Sequence, residues 1–257
     1  YKIKKSLVDQ GTDLVVTKGL LNHFAAGFAC KRLNIPVVWH MQDLISRRYF
    51  SLLRSVFNYF AKIIPVHIIC DGEMIQQSLK ETIREKSTII INGIKTCDLI
   101  RGGNERKATR DELGIPANAY VIGNLARITP WKGQEILLRI FIDYKINNQN
   151  AYLLLVGSPV FNNDRHYKHL KQLIQKYDVK DFVIMPGYRV DLKNMFSAMD
   201  FFVFPSKEKD TSPLALLSAI SAGLPVAVSN IESLIEIIEL CPFVDVFDHR
   251  NREELVS

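Results

Sequence analysis

Short runs of apolar, mostly β-branched residues alternate along the chain with longer stretches whose apolar positions recur every three or four residues. The short runs predict strands at Leu14–Val16, Pro36–Trp39, Val66–Cys70, Thr88–Ile91, Val121–Leu125, Tyr152–Val156, Phe182–Met185, Phe201–Phe204 and Val226–Val228. Most are apolar at successive positions, the pattern of parallel strands buried on both faces. The longer stretches predict helices at Leu20–Leu33, Tyr49–Lys62, Glu73–Glu85, Trp131–Asn147, His166–Tyr177, Leu192–Met199 and Pro213–Ala222. Strand–helix–strand alternation of this kind builds an open parallel α/β sheet.

The alternation breaks once. After Ile94, the stretch Lys95–Asn104 has no period and carries Gly102-Gly103; a new helix start follows at Arg106–Leu113, stopped by Gly114-Ile115-Pro116. A domain boundary is expected there, giving residues 1–102 and 103–257. Two such domains form a cleft, with ligands expected at the carboxyl ends of the strands that line it. Tyr1–Gln10 reads as a basic helix end, and a doubly wound domain would carry strands before Leu14, so the first domain is expected to be truncated at its start. Val256-Ser257 falls in a charged helix start, and the second domain is expected to be truncated at its end.

Composition adds modest constraints. Of 257 residues, 47% are apolar and 23% charged, enough for one large or two ordinary cores and without the signature of disorder. The net charge of +6 favours anionic partners such as nucleotides, sugar phosphates or an acidic membrane surface. The charge is too dispersed, with no basic stripe alternating with aromatics, to predict nucleic-acid binding. The cysteines Cys30, Cys70, Cys97 and Cys241 lack metal-ligand spacing and read as free thiols of a reducing compartment. No signal peptide and no apolar run long enough to span a bilayer is apparent, which predicts a cytoplasmic protein. One stretch, Arg47 to Lys62, places Phe50, Leu53, Phe57 and Phe60 near one face beside Arg47, Arg48, Arg54 and Lys62. Such a helix can lie on an anionic bilayer, giving a peripheral membrane contact; packing on the first domain's sheet is the expectation.

Three segments are placed to carry chemistry. In Gly123–Gln134 a strand ends at Leu125, Arg127 and Lys132 follow, and a helix begins near Trp131. Two permanent cations beside a helix start suit a diphosphate, although a solvated loop with incidental charges has the same pattern. In Phe204–Leu214 a second strand leads through a polar loop to Ser212 and Pro213, good N-cap and first-turn residues. Asp210 in that loop is suited to sugar hydroxyls, and equally to capping the loop. In Trp39–Asp43, His40 and Gln42 fall on the same side of an extended chain, with Asp43 opposite and suited to capping the next turn. The chain carries no paired-carboxylate, metal-ligand or nucleophile-elbow pattern and no strand followed by G-x-G-x-x-G, which argues against hydrolysis and dinucleotide-dependent redox chemistry.

Several segments in order resemble one family. Asn92-Gly93-Ile94 matches its "NGI" turn, Gly123 to Gly133 its "GRL…KG" segment, Leu153–Gly157 its "L-L-V-G" strand, and Pro186–Arg189 its "F-x-G" turn. Asp200–Ser206 matches "D-x-F-V-x-P-S", and Leu216–Val226 matches "L-L-E-A-M-A-x-G-L-P-V". The chain thus resembles the retaining glycosyltransferases of GT-B fold, the large family-4 (group 1) type. The resemblance implies two facing Rossmann-like domains, acceptor-side in residues 1–102 and donor-binding in 103–257. It implies retaining transfer of a hexosyl group from a nucleoside-diphosphate sugar to a polysaccharide or lipid-linked acceptor, with no metal and no other cofactor.

By residue, the resemblance puts Arg127 and Lys132 on the donor diphosphate and Gly187, Tyr188 and Arg189 against the base through their backbone. Thr211, Ser212 and Leu214 join the donor site. Asp210 and Ser218, with seven residues between them, match two family glutamates that touch the donor sugar and the ribose hydroxyls. His40, Gln42 and Asp210 are the expected catalytic residues. The departures are chemical: Asp210 is one methylene short, Ser218 cannot grip a ribose diol with two oxygens, and the family's histidine–aspartate pair reads Gln42-Asp43 with His40 two residues earlier. A non-catalytic nucleotide-sugar-binding or scaffolding subunit is the alternative.

Overall fold

The computed structural model describes residues 2–42, 51–159, 164–208, 210 and 213–251. They form two compact units, residues 1–92 and 93–257, each built on a parallel sheet. The division falls ahead of the expected boundary at residue 102. The intervening stretch belongs to the second unit because Leu99 enters its core and Arg101 donates hydrogen bonds to the carbonyls of Ala222 (2.9 Å) and Gly223 (2.8 Å).

In the first unit, α1 (Lys2–Asp9) precedes β1 (Val15–Lys18), α2 (Leu20–Leu33), β2 (Val37–Met41), α3 (Ser51–Ile63), β3 (His67–Cys70), α4 (Glu73–Ser78), α5 (Glu81–Arg84) and β4 (Ser87–Ile89). The four strands pair in sequence order, all parallel. The expected helix over 73–85 is two helices, because Leu79 and Lys80 adopt extended backbone without any Gly or Pro to announce it. Val37, Trp39 and Met41 of β2 and Ile68 and Cys70 of β3 bury in one cluster with Cys30, Phe57, Ala61, Ile75 and Ile83 from the helices. Val38 and His40, on the opposite face of β2, are half-buried, so this sheet is less enclosed than its apolar runs suggest. Phe57 is buried and Phe60 packs on the same cluster, so the described part of α3 is a core helix. Arg47, Arg48 and Phe50 lie outside the described residues.

The second unit contains α6 (Gly103–Leu113), β5 (Tyr120–Leu125), α7 (Gln134–Asn147), β6 (Ala151–Val156), α8 (Asp164–Lys176), β7 (Val183–Gly187), α9 (Leu192–Ala198), β8 (Phe201–Phe204), α10 (Leu214–Ser221), β9 (Val226–Ser229), α11 (Ile235–Leu240) and β10 (Asp245–Phe247). Its strands are ordered β10-β9-β8-β5-β6-β7, all parallel. Here both faces are buried. Leu154, Val156, Phe202, Phe204 and Val228 pack on one side, and Leu153, Leu155, Val203 and Ala227 on the other. That division explains the unbroken apolar runs. β10 escapes the pattern because it is three residues long and buries only Phe247. One buried polar cluster fastens α6 to this sheet. Arg110, 1% exposed, donates to the carbonyls of Ala198 and Ala119 and to Asp200 (2.7 Å), whose carboxylate also receives Arg106.

His23 is buried in the first unit, stacked on Trp39 and 2.7 Å from the Thr17 hydroxyl. Burial, and then the proximity of His40, pulls its pKa down to about 4 from 6.5. Between those values the unfolded chain binds a proton that the folded chain refuses, so stability is full above pH 6.5 and falls as pH drops towards 4. The expected loss is about 3 kcal/mol. Urea denaturation followed by Trp39 fluorescence should show it, and His23→Gln should flatten the profile; an unaltered profile in the variant would assign the pH dependence elsewhere.

Candidate functional site

In the second sheet the order reverses between β5 and β8: β5 continues through α7 to β6 on one side, while β8 lies on its other side. Such a switch point opens a crevice at the carboxyl ends of the strands, the usual ligand position in parallel α/β sheets. The loop after β5 holds Arg127 and Lys132, and the loop after β8 holds Asp210.

These loops interlock through their backbones. The expected helix from Trp131 begins instead as a single 3₁₀ turn, Pro130–Lys132, and α7 starts only after Gly133. Gly133 has φ 73°, and a Cβ there would lie 1.8 Å from the Pro205 carbonyl oxygen. Glycine alone permits both the left-handed backbone and this approach. The Lys207 N–H donates to the Trp131 carbonyl at 2.9 Å, and Gln134 donates to the Arg127 carbonyl at 2.8 Å. Gly157, after β6, is equally constrained: with φ 144°, its Cβ would meet the Ala126 carbonyl oxygen at 1.9 Å. On the far side Ser229, at the end of β9, donates to the Ser206 carbonyl (2.6 Å), and the Asp210 N–H donates to Ser233 Oγ (2.9 Å).

This scaffold brings Lys132 and Asp210 into a close ion pair, mostly sheltered from solvent, with Ser206 Oγ donating to the same carboxylate oxygen at 3.1 Å. The Lys132 ammonium also lies 5.3 Å from the centre of the Phe204 ring. Arg127 is exposed, and its guanidinium has no hydrogen-bond or ion-pair partner among the described residues. One unpaired cation and one cation held by a single carboxylate therefore stand at the switch point. Beside them a groove of about 1030 Å³ runs between residues 127–131 and α8, adding Arg165, His166, Lys168 and His169. Burial, ahead of its charged neighbours, lowers the pKa of His166. No period or motif in the sequence points to this second set of cations, which reach the loop only through the packing of α8.

The other expected donor residues are placed as follows. Gly187 ends β7 with φ 83°, and Tyr188 beyond it is 75% exposed. The Arg189 side chain is held by Asp191 (2.8 and 2.7 Å) and Glu112 (2.5 Å), so what this residue offers a ligand is backbone. Those bonds hold the Asp191 carboxyl down at about 2. Leu214 is exposed at the first position of α10, whereas Ser218, one turn later, is buried. Thr211 and Ser212 lie outside the described residues, as does Asp43 of the first unit.

In the first unit, His40 and Gln42 do share one side of the extended chain, and both reach the same group, the Asp71 carboxylate. His40 Nε2 makes a short contact with Oδ1; Gln42 Nε2 (2.9 Å) and Asn92 Nδ2 (2.9 Å) donate to Oδ2. Asp71 follows β3 directly and its side chain is fully buried. The sequence signal was a carboxylate placed at once after the predicted strand Val66–Cys70, which neither periodicity nor the family motifs single out.

Two parallel-sheet units of this topology define the GT-B class of fold. Among solved structures, Anabaena Alr3699/HepE in complex with UDP and glucose superposes with a TM-score of 0.87 at 22% identity, covering 98% of this chain and 69% of that one. The family model described as Glycosyl transferases group 1 matches residues 105–240, more than half of the chain, and the chain belongs to that family. Among curated relatives, the Escherichia coli UDP-Gal:alpha-D-GlcNAc-diphosphoundecaprenol alpha-1,3-galactosyltransferase is 26% identical over 242 residues, 90% of this chain and 60% of its own length. The Escherichia coli O-antigen biosynthesis glycosyltransferase WclY is 25% identical over 174 residues, covering 67% of this chain and 45% of its own length. The chain thus spans about 60% or less of the length of these two relatives. Among the described residues no helix is long and apolar enough to cross a membrane.

The interlocked loops give a direct expectation. Gly133→Ala should destabilise the second unit by about 3 kcal/mol, since it adds a backbone clash to a left-handed residue. Gly223→Ala is the control: its φ is 70° but nothing lies within 4 Å of a Cβ there, so it should cost only about 1 kcal/mol. Equal losses in urea titrations would show that conformational strain alone, and not the approach to Pro205, demands glycine at 133.

Proposed function

We propose that the chain works as a retaining glycosyltransferase, moving a hexosyl group from a nucleoside-diphosphate sugar to a polysaccharide or lipid-linked acceptor. The observation that carries this reading is the unpaired Arg127 beside Lys132 at the switch point of the second sheet. A diphosphate there replaces Asp210 as the principal partner of Lys132 and gains Arg127 as a second. Lys132, already oriented in a sheltered site, and the exposed Arg127 beside it stabilise the charge that grows on the leaving diphosphate, so binding the donor and activating it are one task. No metal is required for that neutralisation. The Asp210 carboxylate, released from Lys132, becomes an acceptor for donor-sugar hydroxyls. Gly187, Tyr188 and Arg189 offer backbone to the base, and Thr211, Ser212, Leu214 and the Ser218 position complete the donor contacts. His40 and Gln42 act on the acceptor side.

Group 1 membership supports the transfer chemistry, and the similarity to an enzyme acting on a diphosphoundecaprenol-linked sugar supports the acceptor class. The proposed place of action is the cytoplasm, where nucleotide sugars are available. A binding or scaffolding subunit of the same fold would take up the donor and release nothing, so nucleoside-diphosphate release from a panel of donor sugars separates the two readings.

Calorimetry tests the donor site. Arg127→Ala and Lys132→Ala should each weaken nucleoside-diphosphate binding by about 2 kcal/mol, the loss of one charge-assisted hydrogen bond. Asp210→Asn, which removes the competing negative charge, should not weaken it, yet should depress turnover. Unchanged affinity in both cation variants would move the donor elsewhere on the molecule.

A further inference from the structure

Three strand ends of the first unit meet at one buried carboxylate. Asp71 follows β3, His40 and Gln42 lie at the end of β2 and just beyond it, and Asn92 lies beyond β4. Its carboxylate contacts His40 Nε2 and accepts from Gln42 Nε2 and Asn92 Nδ2, and no Lys or Arg among the described residues pairs with it. An Asp buried among neutral amides is an expensive way to pin strand ends together, because its charge must be desolvated, whereas an uncharged amide could hold the same three side chains with the histidine nitrogen as its acceptor. What a carboxylate does that an amide cannot is accept at every position. Against an ionised carboxylate, an imidazole nitrogen can only donate. His40 Nε2 therefore carries a hydrogen, and in the neutral ring Nδ1 is left as a lone-pair acceptor. Nδ1 has no protein partner among the described residues.

We propose that Asp71 is a positioning residue: it fixes His40 in the Nε2–H tautomer so that Nδ1 accepts a hydrogen bond from a substrate hydroxyl. The imidazole stands at the carboxyl end of a parallel sheet, the end at which open α/β sheets bind their ligands. Gln42 and Asn92 saturate the second carboxylate oxygen, so that Oδ1 stays with the imidazole and Asp71 does not rotate away. Neither amide can replace the aspartate, since each is already a donor to it. The use of Nδ1 in transfer rests on the glycosyltransferase reading; the fixing of the tautomer does not.

The test separates the two. Long-range proton–nitrogen correlation spectra of the full chain, labelled at histidine nitrogen and recorded at about pH 8, report each ring's tautomer. Wild-type His40 should be Nε2-protonated. In Asp71→Asn the carboxamide is expected to turn its oxygen to Gln42 and Asn92 and its NH₂ to His40, making Nε2 an acceptor and moving the hydrogen to Nδ1. The signals of His23 and His67, in the same unit, should stay in place and report an intact fold. With an active donor and acceptor pair, Asp71→Asn should lower kcat by about a hundredfold with donor KM and nucleoside-diphosphate affinity little changed. An Nδ1-protonated ring in the wild type overturns the proposal without any variant, and so does an unmoved His40 tautomer in a folded Asp71→Asn. A switched tautomer with unchanged kcat overturns the role in transfer. If the wild type releases no diphosphate from any donor, the glycosyltransferase reading fails, while the tautomer assignment is judged by the spectrum alone.

Discussion

Everything proposed for the second unit depends on one close approach of two backbones, Gly133 against the carbonyl of Pro205. Two loops at the ends of adjacent strands would ordinarily be kept apart by their side chains. Removing the Cβ at 133 lets the loop after β5 settle on the loop after β8, and the Lys207–Trp131 backbone bond closes the seam. Only with the loops in contact does Lys132 reach Asp210. The charged pair is thus a consequence of the packing, and the long side chain of Lys132 is held along the Phe204 ring rather than free in solvent.

The fold was largely legible because its signals are local and strong. A strand buried on both faces must be apolar at almost every position, and four of the five runs predicted in the second unit are; the fifth, Val121–Leu125, carries Asn124, which is buried and donates to the Val203 carbonyl. What was hidden is what contacts decide. β10 is too short and exposed to leave a run, and the break between α4 and α5 falls at Leu79-Lys80, neither of them a helix breaker. The stretch before Gly103 reads as a linker, yet Arg101 sends it into the second unit through carbonyls more than ninety residues away.

The candidate site divides in the same way. Arg127, Lys132 and Asp210 could be named from their places at strand ends, but not that Lys132 and Asp210 would pair while Arg127 stood without a partner. His40 and Gln42 could be put on one side of a strand by period alone; the group that gathers them, Asp71, lies thirty-one residues after His40 and carries no motif. Arg189 shows the converse. Its charge invites a role with phosphate, and two carboxylates have already claimed it. Sequence locates the strand ends where chemistry is possible, and packing decides which charges remain available there.

The central claim is that a nucleoside diphosphate sits between the loops after β5 and β8. Amide hydrogen exchange of the full chain, with and without a saturating nucleoside diphosphate selected by thermal shift, tests it most directly. The account predicts slowed exchange in residues 126–134, 187–189 and 205–214, with the far ends of the same strands unchanged. Slowed exchange confined to other segments, or tight binding with no protection of residues 126–134, would contradict it.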